Sequence, residues 1–400
     1  MSALFELESL SGKSMSVRVC HVVESLDNTY GGPARSIPSL CAALRDIDVE
    51  STIHSVDSPV KAANEIVSSN QLAWRRYAPV GPGFLRYSFH LNGLKGFCES
   101  EGVDIVHLHS LWTYPSYVAW QVAKSLRVPL VLSARSNLYA ASLQRSLWKK
   151  RLAKAAFVTQ LLEDVRCIHA TSDEEAREIE ALGLNKEVRV VGNGVSVSEF
   201  DSLPARASAK SQLNLPSDSF VLLFFSRVHP RKGLHKLVNV WMDLARKHSN
   251  LVLAVAGPNE DPAYFSEILR SVKGSGLESR FKYLGMVGGG DRLAVMSASD
   301  IFVLPTDFEN FGMAIAEAMA ARLPVITTHG TPWKELPEVG AGWWVDASED
   351  ALTMALNAAL SQKEMLPSMG ENGRRFVEEH YGWGAAAREM RRVYEEILRS

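Results

Sequence analysis

The sequence lacks most features that would fix a protein's class at a glance. Cysteine is scarce, with only Cys20, Cys41, Cys98 and Cys167 in 400 residues. They are far apart and form no CxxC pair, so no zinc site is indicated and buried free thiols in a reducing compartment are expected. Neither sign of charge dominates: 43 Lys+Arg stand against 45 Asp+Glu, a formal net charge of −2. Such a chain has no global field drawing it to nucleic acid. No apolar run reaches the ~18 residues of a membrane-spanning helix. Residues 1–16 include Glu6, Glu8 and Lys13 and lack the apolar stretch of a secretory signal. A cytoplasmic protein is expected, touching a membrane surface at most, with Met15 an alternative start to Met1. There is no GxGxxG fingerprint, no HExxH spacing and no ordered Ser/His/Asp triad, which count against a nicotinamide cofactor and the common hydrolases.

What is present is a globular composition, 46% hydrophobic and 22% charged. The length suggests two or three domains. Short apolar runs alternate with amphipathic segments. The runs are Val17–Val23, Asp104–Leu108, Pro129–Ser133, Cys167–Ala170 and Val188–Val191, then Phe220–Phe225, Leu251–Ala256, Phe281–Leu284, Ile301–Leu304 and Pro324–Thr327. Continuous Val, Ile, Leu and Phe predict strands buried on both faces of a parallel sheet. Pro115–Ser125, Ser172–Leu182 and Glu349–Leu360 between them predict helices. The fold class is therefore α/β, with doubly wound parallel sheets. The series breaks over residues 193–219, where Gly194, Pro204 and Pro216 mark a linker, and then restarts. Two Rossmann-like domains follow, 15–200 and 201–375, with a helical tail over 376–400. Ligands of such proteins bind at the carboxyl ends of the strands.

Those ends carry the candidate chemistry. Ile301–Leu304 leads through Glu309 and Asn310 to Phe311, Gly312, Met313 and Ala314, where a helix carrying Glu317 starts. Free N–H groups at that helix start suit an anion, and the carboxylates suit hydroxyls. Glu309 and Glu317 are also the kind of residue a solvated loop and helix would carry. Phe220–Phe225 leads to Arg227 and Lys232, cations that suit a diphosphate. Gly257 and the stretch Gly285–Gly290 allow a flat ring close to backbone. In the first half, Gly31 and Gly32 open a helix with Pro33 in its first turn. His107 and His109 share one side of an extended segment, so His109 is either a sugar or phosphate ligand or a satisfied core histidine. Arg135 and Asn137 end another strand.

Taken together these segments resemble the family 4 retaining glycosyltransferases of the GT-B fold. The strongest matches are Glu309-x7-Glu317 in "PTDFENFGMAIAEAMA" and "SRVHPRKG", where Ser226 stands in place of the usual glycine. "GGPARS", "DIVHLHSLW", "HATSDEEAREIEALGL" and "VVGNGVSVSEF" match in the family's order, so the resemblance spans about residues 17–398. "SLWTYPSYVAW", "SARSNLYAAS" and "GTPWKELPEVGAGWW" are similar to a branch acting in bacterial polysaccharide and lipopolysaccharide assembly. Ser133-Ala-Arg-Ser-Asn-Leu138 departs from that branch's Ser-Pro-Arg/His-Gly-Met-Leu.

The resemblance implies a UDP- or GDP-sugar donor on the second domain and a glycan or lipid-linked acceptor on the first. Arg227 and Lys232 would hold the diphosphate with the backbone from Asn310 to Ala314. Glu317 would take the ribose and Glu309 the donor sugar. Gly257, Met286 and Val287 would flank the base, and Gly31 and Gly32 would approach the phosphates. His109 would contact the donor sugar or the acceptor, and Trp112, Arg135 and Asn137 the acceptor. The helix around Trp383 would cross back to the first domain. No cofactor and no metal are expected. An epimerase or phosphorylase of the same fold and a non-catalytic sugar-binding protein are the alternatives. Arg145, Lys149, Lys150, Arg151 and Lys154, among Trp148, Leu152 and Phe157, suggest either a helix on anionic lipid or a solvated basic face.

Overall fold

The structure, a computed structural model, describes residues 16–27, 32–59, 63–135, 137–139 and 153–400. Gly31 and the basic segment at Arg145, Lys149, Lys150 and Arg151 lie outside the described residues.

Two wholly parallel sheets form. The first has seven strands: β1 (Val17–Val23), β2 (Val49–Ser55), β3 (Ala73–Arg76), β4 (Ile105–Leu108), β5 (Leu130–Ser133), β6 (Cys167–Ala170) and β7 (Glu187–Val190), in the order β3-β2-β1-β4-β5-β6-β7. The second has six: β8 (Phe220–Phe225), β9 (Leu251–Ala256), β10 (Phe281–Gly285), β11 (Ile301–Leu304), β12 (Val325–Thr328) and β13 (Gly342–Val345), in the order β10-β9-β8-β11-β12-β13. The order of each sheet reverses direction once, at β1/β4 and at β8/β11. Crevices open at such switch points, beyond the carboxyl ends of the strands.

The ten apolar runs correspond to ten of these strands. The sequence reading did not find β2, β3 and β13, and burial explains why. Val49-Glu-Ser-Thr-Ile-His-Ser is half exposed at its start, Ala73-Trp-Arg-Arg is an exposed edge, and Gly342-Trp-Trp-Val closes the second sheet half-buried. Strands covered on one face, or lying at an edge, need no continuous apolar run.

Helices start where local chemistry dictates. Asp173–Glu180 is capped by the Ser172 hydroxyl, which accepts from the Glu175 N–H, and its first turn is wholly acidic. Between the domains, residues 193–219 hold a 3-10 turn, Val197–Phe200, and one helix, Arg206–Gln212. The second domain has one continuous core. The first has apolar clusters on both sheet faces, and one of them includes Ala387, Met390, Val393, Tyr394 and Ile397 of the final helix, Trp383–Arg399. Met390, Val393 and Ile397, buried on that helix, contribute roughly 1.5–3 kcal/mol each. The tail is thus part of the first domain's packing. All four cysteines are buried and free. No helix among the described residues is long and apolar enough to cross a membrane.

Candidate functional site

The carboxyl ends at both switch points face one interdomain cleft of about 560 Å³. From the first domain Gly32, His109, Arg135 and Asn137 line it. From the second come Arg227, Lys232 and the run Glu309–Met313. Gly257, Met286, Val287, Ala314, Glu317 and Trp112 are not on its described wall. Trp112 lines a neighbouring apolar groove of about 620 Å³ with Leu138, Leu162 and Leu184, and its Nε1 donates to the Asn137 carbonyl at 3.4 Å. Met286 is 54% exposed, and Val287 and Ala314 pack against the second core. Gly257 serves the approach of two strands. It has φ +135°, and a Cβ there would lie 1.9 Å from the Ser226 carbonyl oxygen.

Two cations of the cleft are paired with carboxylates. Lys232 Nζ sits 2.5 Å from Glu309 Oε1, with the two side chains 10% and 21% exposed. Burial at that level leaves little water to screen the pair. Arg227 is more exposed and holds both carboxylate oxygens of Glu260, at 2.9 and 3.0 Å. Arg231 lies over the Phe308 ring, 5.6 Å from its centroid. The lysine's position follows from the backbone. Pro230–Lys232 is a single 3-10 turn whose start is capped by His229 Nδ1, and Gly233 at φ +73° redirects the chain into the next helix. The Glu309 N–H donates to the Gly330 carbonyl at 2.7 Å, which pins that loop to the neighbouring one.

Glu317 lies just behind the cleft and is buried. Arg35 of the first domain approaches Oε1 at 2.9 Å, and Arg292 approaches Oε2 at 3.2 Å. Arg292 also pairs with Glu199 of the connecting segment. Both oxygens of this carboxylate therefore have cationic partners, one of them across the domain boundary.

Behind His109 is a polar core that the sequence only hinted at. His21 and His107 face each other in the β1–β4 register, and the His107 and His109 rings stack at 4.1 Å. His107 bonds Tyr394 at 2.6 Å and Ser133 at 2.7 Å, and Ser133 bonds His169 at 2.6 Å. Arg135 assigns the tautomers on the cleft side. Its Nε can only donate, so His109 Nδ1 accepts, at 3.4 Å. His109 Nε2–H then donates to His21 Nδ1 at 2.9 Å. His21 carries its own proton on Nε2, which has no partner among the described residues. Burial, and after it the charge of Arg135, pushes His21 down to about 3; burial lowers His107 and His109 as well, and His169 to about 4. Burial also brings Arg135 down to about 10. The nitrogens of His21, His107 and His109 lie within 4.8 Å of one another. They are turned toward each other, Tyr394 and Ser133, beside a guanidinium, which suits a hydrogen-bonded core better than a cation.

The sequence reading did not single out Glu24, Arg231, Glu260 and Phe308, which also line the cleft. Glu24 follows β1 and Glu260 follows β9, so the strand-end rule would have reached both. His21 and His169, inside strands, carried no such signal.

Two family descriptions match the chain: Glycosyl transferase 4-like domain over residues 31–194, and Glycosyl transferases group 1 over residues 205–376. An uncharacterized glycosyltransferase of Methanocaldococcus jannaschii is 23% identical over 316 residues, 75% of this chain and 77% of its own. The D-inositol 3-phosphate glycosyltransferase of Kineococcus radiotolerans is 27% identical over 318 residues, 74% and 72% of the two chains. Among solved structures, Anabaena HepE in complex with UDP and glucose superposes with a TM-score of 0.78 at 17% identity, over 95% of this chain and 100% of that one. Sucrose-phosphate synthase from Thermosynechococcus elongatus gives 0.76 at 21% identity, over 96% and 99%.

Proposed function

Because the chain belongs to the glycosyl transferases group 1 family and has its GT-B fold, we propose that it is a retaining glycosyltransferase that uses a UDP- or GDP-linked sugar. Its acceptor is a hydroxyl of a glycan or lipid-linked saccharide, in cell-surface polysaccharide or lipopolysaccharide assembly at the cytoplasmic side of a membrane. The observation that carries this reading is the Lys232–Glu309 pair at 2.5 Å in the interdomain cleft. One partner suits a leaving diphosphate and the other suits sugar hydroxyls. The complex of Anabaena HepE with UDP and glucose supports a nucleotide-sugar donor.

The chemistry follows from charge. Breaking the sugar–phosphate bond leaves negative charge on the diphosphate and positive character on the sugar. As donor enters, Lys232 exchanges Glu309 for phosphate oxygens, and Glu309 turns to the sugar's hydroxyls. Arg227 makes the same exchange with Glu260. These preorganised cations stabilise the leaving group without an obligatory metal. The leaving phosphate helps deprotonate the acceptor, and closure of the cleft limits loss of the donor to water. Arg135 and Asn137 meet the acceptor. His109 has both ring nitrogens bonded within the first domain, so it contributes as a fixed, neutral surface. Ribose hydroxyls reach Glu317 by displacing Arg35, the more exposed of its two partners, at 36% against 7%.

Thermal stabilisation by a panel of nucleotides and nucleotide sugars, with and without EDTA, tests the reading. A rise specific to one nucleoside diphosphate and insensitive to EDTA is expected, followed by transfer from the matching donor. No response to any nucleotide would refute it.

A further inference from the structure

The loop carrying Glu309 is held from both domains. Within its own domain the Glu309 N–H bonds the Gly330 carbonyl, and the Asp307 N–H donates to the Arg231 carbonyl at 2.8 Å. The residues on either side of Glu309 reach across the cleft. The Phe308 ring meets the Tyr139 ring edge-on, with centroids 4.6 Å apart. The Asn310 amide is spent on the first domain: Nδ2 donates to Thr171 Oγ1 at 2.6 Å and to Glu175 Oε2 at 2.9 Å, and Oδ1 accepts from the Tyr139 hydroxyl at 3.0 Å.

Glu175 sets the direction of this set. It is completely buried, and its Oε2 also accepts from the Thr171 N–H at 2.7 Å and the Thr171 hydroxyl at 3.0 Å. A carboxylate only accepts, so the Asn310 amide nitrogen must face it and the amide oxygen must face Tyr139. Tyr139 then has to donate. Burial first, and the nearby Glu175 second, raise its pKa and keep that proton in place.

We infer that Tyr139 and Glu175 are positioning residues for Glu309, gripping the loop at Phe308 and Asn310 so that the carboxylate is correctly placed only when the two domains are docked. The inference rests on the reading of Glu309 as the residue that meets the donor sugar. Neither residue touches that sugar; they act through residues 308 and 310. A displacement of about 1 Å at a reacting centre can cost ~10²-fold in rate. Contacts on both sides of Glu309 therefore couple docking to turnover.

The test uses the full chain with Tyr139→Phe, Glu175→Gln, Asn310→Ala and the Tyr139→Phe/Asn310→Ala pair. UDP-glucose and GDP-mannose are the donor probes, and UDP and GDP the binding probes. Turnover is measured per nucleotide-binding site, binding by calorimetry and domain separation by small-angle scattering. Tyr139→Phe keeps the ring and removes only the hydroxyl. Its kcat should fall about fivefold, as for one lost hydrogen bond, and that of Glu175→Gln about tenfold, as for one made to a charged group. Affinity for the nucleoside diphosphate should stay within about twofold of wild type, because the second domain holds it. Tyr139→Phe should add nothing in the Asn310→Ala background. A purely structural role would lower the number of binding sites and leave kcat per site unchanged; that result, or effects that multiply in the pair, would overturn the inference. If the wild type binds neither nucleotide, the transferase reading fails by itself, and scattering decides the clasp. A larger radius of gyration in Glu175→Gln would support it and an unchanged one would overturn it.

Discussion

Acidification from pH 7 to pH 5 should unfold the first domain well before the second. His21 and His54 are pushed down to about 3 and His169 to about 4, in each case chiefly by burial. They are neutral in the fold but protonate near 6.5 once the chain unfolds. The unfolded state therefore binds more protons below that pH. Stability is fully present above 6.5 and is lost as the pH falls toward the folded values. At pH 5 each of these groups costs about 2 kcal/mol, since 1.5 pH units at 1.36 kcal/mol have passed. Three of them cost roughly 6 kcal/mol, comparable with the whole 5–15 kcal/mol stability of a typical domain. His107 and His109 act in the same direction. In the second domain the half-buried His235 is shifted this way, again mainly by burial. Calorimetry with hydrogen exchange resolved by domain would follow both units. The first domain's transition should drop by roughly 12–24 °C between pH 7 and pH 5, at 2–4 °C per kcal/mol. The second domain controls for carboxylate titration, which acts on both. Equal shifts in the two domains, or a first-domain shift below about 4 °C, which is what a single kcal/mol gives, would show that these histidines are not buried neutral.

Glu309→Gln should lower transfer by about 10²-fold while nucleoside diphosphate binding, read by calorimetry, changes little. Lys232→Met should lose a similar factor in rate together with diphosphate affinity, because it removes the cation and leaves Glu309 unpaired. Arg35→Ala should tighten nucleotide binding by up to about fivefold, since Arg35 competes for Glu317 through a partly exposed ion pair worth 0–1 kcal/mol; weaker binding would mean that Arg35 aids the nucleotide. Gly257→Ala should destabilise the second domain by about 3 kcal/mol or more in denaturant unfolding, because the new Cβ meets the Ser226 backbone at a φ that disfavours side chains.

The sequence by itself determined the two-sheet architecture, since strands buried on both faces must be continuously apolar, as Leu251–Ala256 is. It also pointed to residues that line the cleft from the second domain. Arg227, Lys232 and Glu309 directly follow such strands, and a parallel sheet sends every strand end to one edge. Edge and half-exposed strands such as Ala73–Arg76 escaped because solvent relaxes that pattern.

Partners were another matter. Glu317 and Asn310 were legible as residues that follow β11, yet their side chains meet Arg35, Thr171, Glu175 and Tyr139 in the other domain. Asn310 is 171 positions from Tyr139, and His107 is 287 from Tyr394. Hydrophobic periodicity is local and records which face of an element is buried. A hydrogen bond or ion pair depends on which atoms two separately folded units bring within about 3 Å. Only the docking of the two domains, and the return of the last helix to the first, decided those contacts.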